Sequence, residues 1–112
     1  MGYDLPAAIG IWAASRKDGA YSMGAAREGE DVILITGDGS IQMNLQELQT
    51  IIHHKMGIKI FIINNGGYHS IRQTQKNFFG EPLVGVGYDS GDLSFPDMEK
   101  IVCCLWLSLR KS

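Results

Sequence analysis

The sequence has few of the residues that cross-link or interrupt a chain. Its 112 residues include only two cysteines and three prolines. Cys103 and Cys104 are adjacent, which makes them poor disulfide partners and gives them no zinc-ligand spacing. We therefore expect free thiols and no disulfide framework, which is typical of a reducing cytoplasm.

Long apolar runs and an excess of one charge are also missing. The longest strictly apolar run covers residues 101–107 and is far too short to span a bilayer. Ten basic and twelve acidic residues give a net charge of −2, which gives no reason to expect nucleic acid or an anionic membrane as partner. No basic segment followed by an apolar one opens the chain, so we expect no secretory signal and a cytoplasmic protein.

Glycine is the residue present in excess, with 14 of 112 positions against a usual share of about 7%. Tight turns, or backbone that lies close to a ligand, would account for this surplus. The apolar share of 45% is ordinary for a globular chain and too high for a disordered one. The length allows one domain with a core of moderate size.

Two apolar, β-branched runs predict buried strands at residues 32–36 and 59–63. Continuous runs of this kind are typical of parallel strands that are covered on both faces. Between them, Asn44 is followed three residues later by a glutamate, and this capping-box spacing predicts a helix over about 45–55. Strand, helix and strand in this order predict a βαβ unit with parallel strands.

The other segments predict further helices. Pro6 lies near the start of a small and apolar stretch, which predicts a helix over 5–14. A polar connection with a short helical piece should follow at about 15–31, a helix should cover 68–76, and a last helix should open near Pro96. The predicted fold class is α/β, a partial doubly wound parallel sheet with flanking helices.

A candidate site follows from the ends of the two predicted strands. Asp38 lies two residues beyond the first strand, and Asn65 lies two residues beyond the second. Parallel strands end at the same sheet edge, which is where open α/β sheets bind ligands. A carboxylate and an amide oxygen suit Mg²⁺, and the amides of Gly39 and Ser40 suit the phosphate oxygens that usually share this ion.

The same residues also form everyday turn sequences, so neither turn alone is strong evidence for a site. The pair is more specific, because each turn follows a buried strand and 24 residues separate Gly39 from Asn64. The glycine-rich dinucleotide fingerprint and the P-loop are both missing from the sequence.

The surrounding sequence resembles a known family. The stretches MGYDLPAAIG at 1–10, GDGSIQMNLQEL at 37–48 and NN at 64–65 are similar to the C-terminal diphosphate-binding domain of thiamine-diphosphate-dependent enzymes. Within the acetolactate synthase and pyruvate decarboxylase group, acetolactate synthase is the more similar branch. The resemblance covers residues 1–102, and residues 103–112 form an atypical tail.

The resemblance implies a site for thiamine diphosphate and Mg²⁺. Asp38, Asn65 and the backbone carbonyl of Gly67 would bind the metal. The first residue of the chain would wedge beneath the cofactor, and the segment after the second turn would line the diphosphate and the mouth of the site. The implied cofactor-binding residues are Met1, Gly37, Asp38, Gly39, Ser40, Asn65, Gly67, Tyr68, His69 and Ser70.

The resemblance also implies an activity, the decarboxylation and carboligation of 2-oxo acids such as pyruvate. The glutamate that activates the cofactor would lie on a pyrimidine-binding domain of a partner subunit, so we expect no catalytic residue here and no turnover by this chain alone. The full-length family member would be a homo-oligomer and, in this family, FAD is a further possible cofactor.

The departures from the family leave alternatives open. The chain is several times shorter than the family's enzymes, and its tail turns apolar and then basic, so we expect a fragment with a shifted reading frame after about Val102. A non-catalytic module that binds a phosphate compound or a partner surface is the alternative function. A phosphorylated receiver-like domain is less favoured, since glycines rather than acidic residues flank Asp38.

Overall fold

The computed structural model describes residues 1–15, 31–90 and 94–105. The chain divides into two compact units, Met1–Ile63 and Asn64–Ser112. The short helical piece predicted within 15–31 lies outside the described residues, and so does the tail beyond residue 105.

The α/β fold class is confirmed, and the predicted helices and strands within the described residues follow in the predicted order. The segment after the first strand, which was expected to be a turn, is instead a short helix that begins at Asp38. Single 3-10 turns at Gln42–Asn44 and Tyr88–Ser90 accompany the helices and strands. The first unit contains α1 (Asp4–Ala14), β1 (Val32–Gly37), α2 (Asp38–Ile41), α3 (Glu47–His53) and β2 (Ile58–Ile63), and the second contains α4 (His69–Phe78) and α5 (Met98–Cys104).

The two strands pair in parallel, as predicted from the βαβ pattern. Val32 lies opposite Ile58, and the pairing continues without a break to Gly37 opposite Ile63. Both strands therefore end at the same edge of the sheet, and their carboxyl ends are in register. Asp38 directly follows β1 at this edge.

The core of the first unit lies on one face of the sheet. Alternate residues of β1 are buried, and α1 packs against this strand. The residues that form this core are Leu5, Ala8, Val32, Leu34, Ile41, Leu48 and Ile51.

The prediction that both strand faces are covered is wrong for the described chain. Ile33 and Ile35 of β1 are 65% and 67% exposed, and Phe61 and Ile63 of β2 are both 57% exposed. Residues of a strand point alternately to the two faces, so these four side chains share the second face. Their continuous apolar sequence suits a covered strand, but the described residues supply no layer that covers it.

The predicted capping box is also wrong. Asn44 Nδ2 donates a hydrogen bond to the Gly2 carbonyl. The helix α3 begins at Glu47, two residues after its predicted start. The Glu47 carboxylate accepts from Thr50 Oγ1 at 3.0 Å within the helix. The helix ends at His53, two residues before the predicted end, and Lys55 then adopts a φ of +50°. A long-range contact has thus replaced the local cap that the spacing indicated.

The second unit contains the two remaining helices. The helix predicted over 68–76 is α4, which begins and ends slightly later. The start of α5 is capped by the Asp97 carboxylate, which accepts from the amides of Glu99 at 3.1 Å and Lys100 at 3.2 Å. None of the helices in the described ranges has both the length and the apolarity that crossing a membrane requires.

Candidate functional site

Asp38 lies at the carboxyl end of β1, as predicted. It directly follows Gly37, the last residue of the strand, and opens the short helix α2. Its side chain is buried, with 3% exposure, and its Oδ1 accepts a hydrogen bond from the Gly39 amide at 2.8 Å. A buried carboxylate needs compensation by hydrogen bonds or a cation, so this position is suited to metal binding.

The N-terminal segment packs against the turn that contains Asp38. The Gly2 amide donates to Ser40 Oγ at 2.8 Å, and the Gly2 carbonyl accepts from the Asn44 side chain. Met1 precedes this anchored glycine and is 72% exposed. The predicted residues Met1 and Ser40 are therefore held in the same part of the first unit.

Asp4 and Thr36 form a contact that the sequence analysis missed. Thr36 Oγ1 donates to Asp4 Oδ2, and the Leu5 amide donates to Asp4 Oδ1 at 3.0 Å. Burial raises the pKa of Asp4, but hydrogen bonds from Thr36, Ser40 and the Leu5 amide outweigh it and hold the pKa below its ordinary value of 3.8. The two residues are 32 positions apart, and no local pattern pairs them.

In the second unit, residues 64–67 form the predicted turn. Asn64 Oδ1 accepts from the Gly66 amide at 3.3 Å, which closes the turn through a side chain. Gly66 and Gly67 have φ angles of +73° and +133°, values that other residues rarely adopt. Asn65 is exposed at the tip of this turn.

The position of Gly67 requires glycine for steric reasons as well. A Cβ atom there would lie 2.2 Å from the Val86 carbonyl oxygen, because Gly67 pairs with Gly87 in an antiparallel bridge. The Gly67 carbonyl accepts from the His69 amide at 3.0 Å, and a carbonyl oxygen has two lone pairs. Arg72 Nη2 donates to the Gly66 carbonyl at 3.1 Å and so ties the turn to α4.

The three predicted residues after this turn open α4. Tyr68 is half-buried, its amide donates to the Val86 carbonyl at 2.8 Å, and its ring contacts Phe95 with a centroid distance of 5.6 Å. His69 and Ser70 are exposed in the first turn of the helix. Tyr68 therefore has a packing role, while the other two side chains are accessible.

The predicted residues thus form two groups, one in each unit. The first group is Met1 with residues 37–40, and the second is Asn65 with residues 67–70. That Asp38 and Asn65 bind one ion stays a prediction. Among the described residues, no group of three His, Cys, Asp or Glu side chains is arranged to hold a metal.

The family of this chain follows from its similarity to known proteins. The profile of the family described as "Thiamine pyrophosphate enzyme, C-terminal TPP binding domain" matches residues 1–105. The chain belongs to this family. The match includes every residue of both groups, and it agrees with the resemblance carried by the motifs at 1–10, 37–48 and 64–65.

Relatives within the family are similar over most of the chain. The acetolactate synthase large subunit of Cyanidium caldarium is 47% identical over 95 residues, which are 85% of this chain and 14% of the relative. That of Pyropia yezoensis is 46% identical over 101 residues, or 90% of this chain and 15% of the relative. A pyruvate decarboxylase of Aspergillus parasiticus is 48% identical over 68 residues, 61% of this chain and 12% of the relative. The chain therefore corresponds to a thiamine-diphosphate-binding domain of acetolactate-synthase-like enzymes and spans a small part of their length.

Proposed function

We propose that this chain binds the diphosphate of thiamine diphosphate through Mg²⁺ at the carboxyl edge of the sheet. The observation that carries the proposal is the buried carboxylate of Asp38 at the end of β1. The neighbouring parallel strand ends in register, at Ile63, and Asn65 follows it by two residues. Family membership supplies the identity of the ligand.

The donor set fits the metal. A carboxylate, an amide oxygen and a backbone carbonyl are hard oxygen ligands, and Mg²⁺ takes one or two such groups together with phosphate oxygens. Asp38 and Asn65 would provide the side-chain oxygens and Gly67 the carbonyl. The steric demand at Gly67 fits this role, because it fixes the course of the backbone at that carbonyl.

The remaining residues of the first group would bind the diphosphate itself. The amides of Gly39 and Ser40 would donate to its oxygens, as in an anion-binding turn. The Ser40 hydroxyl already accepts from the Gly2 amide, which favours recognition through the backbone. When bound, thiamine diphosphate would supply a thiazolium ring, whose nucleophilic carbon adds to a carbonyl group and which itself acts as the electron sink. The chain's own residues bind and orient that cofactor.

The reaction we propose is the decarboxylation and carboligation of 2-oxo acids. Its support is that the relatives are an acetolactate synthase subunit and a pyruvate decarboxylase. The activating glutamate would come from a pyrimidine-binding domain of a partner subunit, within a cytoplasmic homo-oligomer. Tyr68, His69 and Ser70 would line the diphosphate side of that site.

Titration calorimetry of the full 112-residue chain with thiamine diphosphate tests this function. We expect binding with Mg²⁺ and none with a chelator, and a loss of affinity of at least about tenfold for Asp38→Ala. Asp31→Ala is the matched control, since it removes the same charge at the opposite end of β1, about 20 Å away. Equal affinity of the Asp38 and Asp31 variants, or a preference for ATP or NAD, would favour the non-catalytic module instead.

A further inference from the structure

A buried hydroxyl connects the candidate turn to the start of α1. Thr36 is 5% exposed and immediately precedes Gly37, and its Oγ1 donates to Asp4 Oδ2. Its alternative acceptor is the Gly37 carbonyl at 3.3 Å, a longer contact. Because a buried hydroxyl without a good acceptor is costly, Asp4 fixes this residue in place. A Cβ atom at Gly37 would have no neighbouring atom within 4 Å, so packing around this glycine does not fix the backbone there.

A second connection reaches the other end of the same turn. The Gly2 amide donates to Ser40 Oγ, and the Gly2 carbonyl accepts from Asn44. Gly2 adopts a φ of +76°, and a Cβ there would lie 3.0 Å from Met43 Sδ, so the segment lies close against the chain that follows the turn. Residues 2–4 thus hold both Thr36 before the turn and Ser40 within it.

The contact between Asp4 and Thr36 is not explained by the position of Asp4 at the start of α1. An aspartate in the first helical turn is favoured by the helix dipole, and the bond from the Leu5 amide to Asp4 Oδ1 belongs to that local role. The second carboxylate oxygen has a different partner, on a strand 32 residues away. This second contact has no function in capping α1.

We propose that Asp4 is a positioning residue for the diphosphate-binding turn. It holds Thr36 and, together with the Gly2 contact, fixes the backbone whose Gly39 and Ser40 amides would face the diphosphate. This inference rests on the proposed function for its ligand. A carboxylate this close to a polyanion site would repel the ligand by its charge, so the benefit must come from geometry.

Two variants of Asp4 separate geometry from charge. Asp4→Ala removes the acceptor, whereas Asp4→Asn keeps one acceptor oxygen for Thr36 and removes the charge. Glu47→Ala is the matched control, because Glu47 also accepts from a threonine hydroxyl, that of Thr50, but lies within α3. Thr36→Val removes the same hydrogen bond from the donor side and serves if Asp4→Ala does not fold.

The measurements are the urea midpoint of the full chain and its affinity for thiamine diphosphate with Mg²⁺. We expect Asp4→Ala and Glu47→Ala to lower the midpoint, but only Asp4→Ala and Thr36→Val to weaken binding, by about tenfold. Asp4→Asn should restore most of the affinity. Affinity in Asp4→Ala equal to that in Glu47→Ala would overturn the proposal. A loss in Asp4→Asn as large as in Asp4→Ala would also overturn it, because the acceptor oxygen kept for Thr36 would then not preserve the affinity.

A readout in the ligand-free chain keeps this proposal distinct from the proposed function. Hydrogen exchange of the Gly2 amide reports its bond to Ser40 Oγ, and the amide resonances of Gly39 and Ser40 report the conformation of the turn. We expect faster exchange and shifted resonances in Asp4→Ala but not in Glu47→Ala. If the unmodified chain binds no thiamine diphosphate, the proposed function fails. Independently of that result, unchanged Gly2, Gly39 and Ser40 signals in Asp4→Ala would overturn the role of Asp4.

Discussion

At the scale of single residues, the turns of the candidate site owe their shape to glycines and to long-range hydrogen bonds. The positions of Asp38 and Asn65 after the strands were predictable, because residues at strand ends follow directly from the strand pattern. The contacts of Asp4 with Thr36 and of Asn44 with Gly2 were not, since they join residues far apart in the sequence. Local spacing indicated a helix cap for Asn44, and the tertiary contact replaced it.

Replacing Gly67 with alanine should destabilise the second unit more than the same change at Gly80, another glycine with a positive φ. We expect Gly67→Ala to lower the free energy of unfolding by about 2 kcal/mol or more, because its Cβ would meet the Val86 carbonyl at 2.2 Å. Gly80→Ala, with a φ of +75° and open space around its Cβ, should cost only the backbone strain of roughly 1 kcal/mol. Urea unfolding measures both values, and equal losses would contradict the steric role of Gly67.

The stability that Asp4 contributes should depend on pH. Burial raises its pKa, but hydrogen bonds from Thr36, Ser40 and the Leu5 amide lower the pKa by more than burial raises it. The pKa of Asp4 in the folded chain is therefore below 3.8. The folded state therefore favours the carboxylate, and this contribution is present above about pH 4 and lost as the pH falls through the folded pKa. The difference in unfolding free energy between the unmodified chain and Asp4→Asn should shrink on acidification. A constant difference down to about pH 2.5 would show that Asp4 does not titrate in this way.

At the scale of elements, the strands and most helices were predictable from short apolar runs and from the glycine and proline residues that separate them. The parallel pairing followed from the strand, helix and strand order, and the register then brought Gly37 opposite Ile63. Coverage of the sheet was not predictable from the strands. A continuous apolar run describes a strand that is suited to burial on both faces, but only packing partners elsewhere in a protein determine whether it is buried.

The sheet face that the described residues leave exposed should make this chain bind apolar dyes and associate. Ile35 and Phe61 are register partners on that face, with 67% and 57% exposure, and large exposed apolar patches favour association. Replacing both with threonine should reduce dye fluorescence and the concentration-dependent increase in sedimentation. Ile51→Thr is the control, because Ile51 is buried and its change should lower stability without reducing dye binding. Unaltered association in the double variant would show that another surface is responsible.

At the scale of the whole molecule, motif content and family membership agree. The spacing of Gly-Asp-Gly and Asn-Asn predicted a diphosphate site, and the family match over residues 1–105 supports it. Substrate choice was not predictable in the same way, because the chain spans only 14% of a relative such as the Cyanidium caldarium subunit. The greater part of that relative lies outside the segment that this chain matches.

The isolated chain should have no decarboxylase activity. We propose that the activating glutamate belongs to a partner's pyrimidine-binding domain, so the purified chain should release no CO₂ from pyruvate above background with thiamine diphosphate and Mg²⁺ present. A full-length acetolactate synthase assayed under the same conditions is the positive control. Turnover by the 112-residue chain, unaffected by further purification, would contradict the assignment of that glutamate to another domain.

Joint binding of one ion by Asp38 and Asn65 is tested most directly by replacing Mg²⁺ with paramagnetic Mn²⁺. Added in small amounts with thiamine diphosphate, Mn²⁺ should broaden the NMR signals of the Asp38 amide and the Asn65 side-chain amide together. The Asp31 amide, at the opposite end of β1, should stay sharp. Broadening of the Asp38 signal without the Asn65 signal, or of neither, would contradict a shared metal site.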